Sequence, residues 1–295
     1  MKTVAHGWSP SRRDVCTGLI GLVGAAALAR CDGDKGEVAE GETSRDEGDD
    51  TEIRRDDTDI IGVDTGFEVP WATGGTASMW GNYVDPFTTA TSCALICELT
   101  LGPCYAETVE RKDISEGYTG LPVRLAFQVV NEACEPIEGA TVDIWHTSYQ
   151  GLYSGDDAAQ MCTDGDADAR AHRFFRGVQT TDASGRVDFD SCFPGWYGGR
   201  TVHMHFTVRR GGEAYVTSQL FFPSALIQDI FENHPEYSGF GQPDTTNESD
   251  NVLGGTDVDP YLMEYAKMSD GALLAWKRLV IRGSLSDDPC TAGRG

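Results

Sequence analysis

The amino-acid sequence predicts a mainly β protein, an antiparallel β-sandwich with peripheral loops and short helices. Apolar residues alternate with polar or small residues at a period of two, as in residues 123–129, which is the pattern of half-buried strands. Proline, glycine and aspartate mark turns between such segments, at residues 131–139 and 181–186. No repeat or coiled-coil period is present, so two packed antiparallel sheets are the expected architecture.

The predicted elements follow one another through the C-terminal three fifths of the chain. Strands are expected at residues 123–129, 142–146, 187–190, 201–210, 214–222 and 273–281. Short helices are expected at residues 224–233 and 260–268. Because turn residues fill the gaps at 131–139 and 181–186, consecutive strands are expected to be joined there by short hairpin-like connections.

Residues 1–31 have the pattern of an export signal. Arg12 and Arg13 resemble the twin-arginine type, and they precede an apolar stretch, residues 16–29, that is too short to span a bilayer comfortably. A chance arginine pair in an ordinary secretory signal is the alternative. Cys31 follows a lipoprotein-like box in which the preceding arginine is atypical, whereas residues 27–29 fit a simple peptidase site. We expect an exported protein, periplasmic, membrane-anchored or extracellular, and we favour a lipid anchor at Cys31.

An acidic flexible linker is predicted over residues 32–75, followed by the folded domain over residues 76–290. Residues 32–59 contain 13 acidic side chains against four basic ones, so the segment cannot bury enough apolar surface to offset its ordering entropy. In the whole chain, 47 acidic residues outnumber 23 basic ones, a formal net charge of −24. That charge repels phosphate backbones, so no nucleic-acid partner is expected.

The nine cysteines favour disulfides in an oxidising compartment, because no pair of C-x-x-C motifs points to zinc. Cleavage after Ala29 would leave eight cysteines, an even set that can pair fully. Lipid attachment at Cys31 would leave seven for pairing, so at least one thiol would stay free or pair between chains.

The strongest chemical signal lies in residues 194–206. Residues two apart on a strand share a face, so His203 and His205 are expected on one side and Met204 and Phe206 inside the sandwich. Two imidazoles on one face can bind one metal ion. The pair alone is weak evidence, because imidazoles on strands also pair with carboxylates or carbonyls.

Residues 194–206 and four further segments together closely resemble the intradiol ring-cleavage dioxygenases, in the order and spacing of their exported branch. The other segments are residues 139–146, 151–154, 176–182 and 217–223. The resemblance covers about residues 93–282 and implies a β-sandwich core with a non-haem iron(III), Fe(3+). By resemblance, the four protein ligands are Tyr153, Tyr197, His203 and His205. Arg200 and Gln219 fall on positions that face the bound substrate, so Arg200, Tyr197 and Gln219 are the expected catalytic residues.

Two tyrosine ligands make chemical sense for iron(III), a hard cation that favours anionic oxygen donors. Ionising a phenol of pKa about 10 costs roughly 4 kcal/mol at pH 7, and a highly charged metal can offset that cost. The implied reaction uses O₂ to cleave a small aromatic diol of the catechol type between its hydroxyl-bearing carbons. A muconate-type dicarboxylic acid is the product. Tyr197 is expected to leave the metal when substrate binds, and Arg200 to stabilise negative charge on the ring.

The alternative function is a non-catalytic, transthyretin-like binding module on an exported protein, which segments 136–142 and 181–187 also resemble. Such a module has no need of the tyrosine and histidine set. Two positions depart from the family pattern, Cys104 and Cys192, and they bear on substrate shape more than on the metal. The expected pocket wall consists of Tyr105, Asp113, Ile114, Pro122 and Trp196.

The remaining candidates have plainer interpretations. His146 follows a strand tryptophan and has no spaced partner, so it is interpreted as structural. No specific role is expected for His172 and His234. Trp145 is expected to pack in the fold. Arg200, if the resemblance misleads, is an ordinary surface cation.

Overall fold

Two four-stranded sheets form the fold in the computed structural model, which describes residues 69–80, 83–88 and 93–291. These residues belong to one of two units in the chain, residues 64–295. The predicted export signal, Cys31 and the first 37 residues of the predicted linker lie outside the described residues.

The described residues form eight strands and two short α-helices. The strands are β1 (Pro122–Val130), β2 (Thr141–Trp145), β3 (Arg176–Thr180), β4 (Arg186–Cys192), β5 (His203–Arg210), β6 (Glu213–Phe221), β7 (Glu264–Lys267) and β8 (Leu273–Val280). The α-helices are α1 (Ala167–Ala171) and α2 (Ser224–Asn233). Single 3₁₀ turns lie at Thr76–Ser78, Gln160–Cys162, Ser238–Phe240, Asn247–Ser249 and Asp259–Tyr261.

The first sheet has the order β4-β1-β8-β7 and the second the order β3-β2-β5-β6, which confirms the predicted mainly β sandwich. Five of the six strand pairs are antiparallel. The sixth is parallel, with Val123 of β1 opposite Leu273 of β8. A parallel neighbour needs a long crossover, and here the chain builds the whole second sheet before β8 returns to β1.

The predicted hairpin-like connections at residues 131–139 and 181–186 are wrong. Each carries the chain from one sheet to the other, from β1 to β2 and from β3 to β4. The turn residues indicate a reversal of direction, but they do not specify the sheet that the next strand enters. Hairpins occur instead between β5 and β6 and between β7 and β8, where the paired strands follow directly in sequence.

The core lies between the two sheets. It contains Val123, Leu125, Phe127 and Val129 of β1, Val142 and Ile144 of β2, and Val202, Met204, Phe206 and Val208 of the β5 segment, all buried. Burying each such side chain contributes roughly 1.5–3 kcal/mol. Because strand residues alternate between faces, His203 and His205 lie on the opposite face of the second sheet, as predicted. A smaller apolar cluster that includes Cys104, Trp145 and Tyr153 covers that face.

The helix predicted at residues 224–233 is confirmed as α2, and the final strand as β8. The helix predicted at residues 260–268 is wrong, because the chain forms a 3₁₀ turn at Asp259–Tyr261 and then β7. Pairing with β8 satisfies the β7 backbone, which outweighs a weak local helix preference. Within the described residues, no helix is long and apolar enough to cross a membrane.

Six of the seven described cysteines form disulfides. The pairs are Cys93–Cys134, Cys97–Cys290 and Cys104–Cys162, and Cys192 is buried and unpaired. Residues 71–75 of the predicted linker contact the domain, with Trp71 Nε1 donating to Asp229 at 2.8 Å. Ordered contacts therefore begin before residue 76.

Candidate metal centre

His203 and His205 lie side by side on β5, 3% and 2% exposed. The register places Trp145 of β2 on one side of His205 and Gln219 of β6 on the other. The His203 Nδ1 atom lies 2.7 Å from the Thr201 carbonyl oxygen, so Nδ1–H donates and Nε2 keeps its lone pair.

Two phenols converge on that lone pair. The hydroxyl oxygens of Tyr153 and Tyr197 each lie 3.3 Å from His203 Nε2. The Tyr153 ring is 6.2 Å from the His205 ring, and the His203 and His205 rings are 5.1 Å apart, measured between centroids. The structure thus brings together the four side chains proposed as ligands from the family resemblance.

Burial sets the protonation of this cluster. It lowers the pKa of His203 and of His205 well below the usual range, so both imidazoles are neutral and able to bind a metal. Burial raises the pKa of Tyr153 well above 10, although Arg200 and Arg176 act in the opposite direction. A Tyr153 phenolate therefore needs a strongly charged cation beside it.

Tyr153 is held by its backbone and by a buried arginine. Its N–H donates to the Cys162 carbonyl at 2.9 Å, and Cys162 is bonded to Cys104. The guanidinium of Arg176 donates to the carbonyls of Ser154 and Cys104 at 2.7 and 2.8 Å and lies 5.8 Å from the Tyr153 ring centroid. The sequence indicates no role for Arg176, because its partners are scattered along the chain.

Tyr197 lies on the loop before β5, which packs closely on the Tyr153 loop. Gly151 permits that approach, because its φ is +78° and a Cβ atom there would lie 2.2 Å from the Trp196 carbonyl oxygen. Tyr197 is half-buried, whereas Tyr153 is 1% exposed. The two phenols therefore differ in their freedom to move.

Arg200 and Gln219 both face this cluster. The Arg200 Nη2 donates to the Gln219 side-chain oxygen, and its Nη1 lies 3.5 Å from the Tyr197 hydroxyl. Gln219 donates in turn to the Thr100 carbonyl at 3.0 Å. Arg200 is only 13% exposed and pairs with buried Asp250 at 2.8 Å, so it is not an ordinary surface cation. Asp250, 50 residues away in sequence, carried no sequence signal.

Three of the five residues expected in the pocket wall lie in the core or at the first sheet. Ile114 is buried in the core between the sheets, Pro122 begins β1 of the first sheet, and Asp113 forms an isolated bridge to Asp190 of that sheet. After residue 106 the chain runs beside β3, with an isolated bridge between Glu110 and Val178, and reaches the first sheet only at Asp113. The sequence pattern does not indicate this path.

Tyr105 and Trp196 lie nearer the cluster. The Tyr105 ring packs edge-on against Trp145 at 4.9 Å, and its hydroxyl donates to Asp143 at 3.2 Å. Trp196 is half-buried next to Tyr197 and donates from Nε1 to the Gly241 carbonyl at 3.1 Å.

The other three histidines in the described part of the chain have structural partners. His146 is confirmed as structural, since its ring nitrogens lie 2.8 Å from the Thr147 carbonyl and 2.8 Å from the Ser191 hydroxyl. His234 has a specific role, contrary to expectation: it is fully buried and its Nε2 lies 2.9 Å from the Ala72 carbonyl, which fixes the N-terminal segment to α2. His172 caps α1 and contacts the Asp168 carbonyl at 2.8 Å.

The donor set suits a hard, highly charged cation. Two phenol oxygens, which become anionic donors when ionised, and two neutral imidazoles are the kinds of oxygen and nitrogen donors that iron(III) prefers. In the described part of the chain, no cluster of three or more His, Cys, Asp or Glu side chains offers a competing metal site.

Comparison with known proteins finds relatives that are all described as dioxygenases. A family model described as Dioxygenase matches residues 100–235. A dioxygenase of known crystal structure has 30% sequence identity to this chain. The match covers 64% of this chain and 95% of that chain, with a TM-score of 0.56. An intradiol ring-cleavage dioxygenase from Tetranychus urticae is 29% identical with the same coverage, 64% and 95%, and a TM-score of 0.57.

A curated relative is more distant. Catechol 1,2-dioxygenase from Pseudomonas sp. (strain EST1001) is 27% identical over 189 residues, which cover 54% of this chain and 62% of the relative. The chain therefore spans less than two thirds of the length of that relative.

Proposed function

The chain belongs to the intradiol ring-cleavage dioxygenase family, and from this premise we propose that it cleaves a catechol-type ring between the two hydroxyl-bearing carbons. Both atoms of O₂ enter the product, a muconate-type dicarboxylic acid. One observation supports the proposal above the others: the hydroxyls of Tyr153 and Tyr197 meet at the unprotonated Nε2 of His203, inside the family fold.

The proposed metal is a non-haem iron(III) held by Tyr153, Tyr197, His203 and His205. A bound iron(III) would supply Lewis-acid chemistry, because it would draw electron density from the diol oxygens and make a ring carbon susceptible to O₂. The protein supplies neutral imidazoles for this purpose, because burial keeps His203 and His205 unprotonated.

The two tyrosines have different proposed roles. Tyr153 is almost fully buried and fixed by its backbone bond to Cys162, so it remains in place throughout the reaction. Tyr197 lies half-buried on a loop, so it would move aside when the diol binds, and its phenolate would take a proton from a hydroxyl of the diol. Arg200, 3.5 Å from the Tyr197 hydroxyl, then faces the substrate and stabilises negative charge on its ring, which is worth roughly 3 kcal/mol.

The relatives and the cluster support the proposed substrate class. The curated relative described above is named as a catechol 1,2-dioxygenase. We propose a small aromatic diol and O₂ as the substrates here. Export, with a lipid anchor at Cys31, is proposed on sequence grounds and is tested by the mass of the mature N-terminal peptide.

The decisive experiment combines metal analysis, a visible spectrum and product analysis. We expect one iron per chain, a red-brown colour from phenolate-to-iron(III) charge transfer, and equal molar consumption of catechol and O₂ with a dicarboxylic acid as product. A preparation that stays colourless and iron-free after reconstitution would contradict the proposed ring-cleavage activity. That result would favour the transthyretin-like binding module.

A further inference from the structure

The loop that carries Tyr197 and Arg200 is hydrogen-bonded to a segment that lies C-terminal to the residues matched by the family model. Residues 244–250, named the clasp here, lie outside the matched residues 100–235. The Asp244 carboxylate accepts from the Gly199 N–H at 3.1 Å, and the Asn247 side-chain oxygen accepts from the Thr201 hydroxyl at 2.9 Å. The clasp therefore binds Gly199 and Thr201, the residues that precede and follow Arg200 in the sequence.

Asp250 is the most deeply buried member of the clasp, 1% exposed. Its carboxylate accepts from Arg200 Nε at 2.8 Å and 3.1 Å, one distance to each oxygen. It also accepts from the backbone N–H of Thr201 at 3.0 Å and of Val252 at 2.9 Å. Both oxygens are thus satisfied, and the carboxylate cannot turn without losing several bonds.

These bonds set the direction of the Arg200 side chain. A guanidinium is planar, so fixing the Nε edge also fixes where both terminal nitrogens point. With Nε on Asp250, Nη2 donates to Gln219 and Nη1 lies toward the Tyr197 hydroxyl. A carboxylate on the Nε edge thus directs the Nη1 edge toward the Tyr197 hydroxyl.

A contribution to stability alone is a poor explanation for the buried ion pair between Arg200 and Asp250. The desolvation cost of a buried ion pair often cancels its Coulomb attraction, so an apolar pair would serve stability as well. We propose that Asp250 is a positioning residue for ring cleavage, which acts by holding Arg200 in the orientation that faces Tyr197 and the substrate. The inference rests on the proposed function of Arg200.

The test compares Asp250→Asn with Glu248→Gln. The asparagine keeps the shape of the side chain but loses its charge, and the matched control removes an exposed carboxylate from the same segment. Iron content, kcat per iron, KM for catechol and unfolding by urea are measured for both variants. We expect Asp250→Asn to keep its iron and lose at least tenfold in kcat per iron with little change in KM. The control should match the wild type.

A double variant separates positioning from folding. If Asp250 acts through Arg200, combining Asp250→Asn with Arg200→Lys should cost no more kcat than Arg200→Lys alone. Multiplied losses would overturn the proposal. So would an Asp250→Asn protein that loses iron or folded fraction while kcat per iron stays normal, because the residue would then support the fold only.

A measurement without turnover keeps the inference testable if catechol is not a substrate. Hydrogen exchange at the Arg200 Nε–H is followed by NMR in iron-free protein, since iron(III) broadens nearby signals, and Arg200→Lys assigns the resonance. We expect slow exchange in the wild type and in Glu248→Gln, and at least tenfold faster exchange in Asp250→Asn. Equal rates in all three would show that Asp250 does not hold Arg200.

Discussion

Trp145 stacks on His205, with ring centroids 5.0 Å apart and an interplanar angle of 11°. His203 is oriented by a hydrogen bond to Thr201, but His205 Nδ1 is buried without a hydrogen-bond partner among the described residues. Gly102 lies against the same ring, where a Cβ atom would be 3.1 Å from Cε1. Packing, led by the indole, therefore fixes the plane of His205.

Replacing Trp145 should affect both the fold and the metal. Trp145→Ala is expected to lower the free energy of unfolding by about 3–5 kcal/mol and to release iron, because it empties a fully buried site and frees His205. Trp145→Phe keeps an aromatic face and should retain most of the iron. Urea unfolding and iron stoichiometry check this, and equal iron in both variants would contradict the role given to stacking.

Tyr197→Phe should abolish turnover and weaken the visible charge-transfer band. The substitution removes one of the two hydroxyls that meet His203 Nε2 and leaves the ring in place. Absorption spectra and oxygen uptake measure the effect. His146→Ala is the control: its colour should persist even if stability falls, since both ring nitrogens bond elsewhere. Full activity in Tyr197→Phe would contradict the assignment of Tyr197 as a metal ligand.

Arg200→Lys should bind iron normally and turn over at least tenfold more slowly. Lysine keeps the charge but cannot contact Asp250, Gln219 and Tyr197 together, because it lacks the planar fork of donors. Iron content and kcat per iron are the measurements. Loss of iron with normal kcat per iron would show that Arg200 supports the site instead of the reaction.

The disulfides provide a matched pair of tests. Cys104–Cys162 and Cys93–Cys134 close loops of 58 and 41 residues, so replacing either pair with serine should destabilise the fold by about 4 kcal/mol on the chain-entropy estimate. Only loss of Cys104–Cys162 should also reduce iron retention, since Cys162 binds the Tyr153 backbone. Urea unfolding and iron titration distinguish the two effects. Equal iron affinity in both variants would count against this link.

His146 should make the fold sensitive to acid. Burial lowers its pKa to about 4 from 6.5, so the unfolded chain binds the extra proton first. This contribution to stability is complete above pH 6.5 and is lost as the pH falls from 6.5 to about 4, roughly 3 kcal/mol in all. Urea unfolding at several pH values should show a shallower slope for His146→Gln than for the wild type. Identical slopes would refute the assignment.

Local periodicity was sufficient to predict most strands, α2 and the shared face of His203 and His205. It did not reveal Tyr153 and Tyr197, since isolated tyrosines in strands and loops have no distinctive spacing. Those two came from the family resemblance. The parallel pairing of β1 with β8 and the contact of Asp250 with Arg200 join distant parts of the chain, so no local pattern encodes them. The position of Ile114 in the core was not predicted for the same reason.

The central position of β8 has a consequence for biosynthesis. The sheet that carries the candidate metal centre ends with β6 at Phe221, so a nascent chain can assemble it early. The first sheet then consists only of β4 and β1, because β8 lies between β1 and β7. One edge of β1 stays open until residues 273–280 emerge, and Cys97 must wait for Cys290. Ribosomal pausing after β6 therefore exposes an unpaired strand edge that other chains can bind.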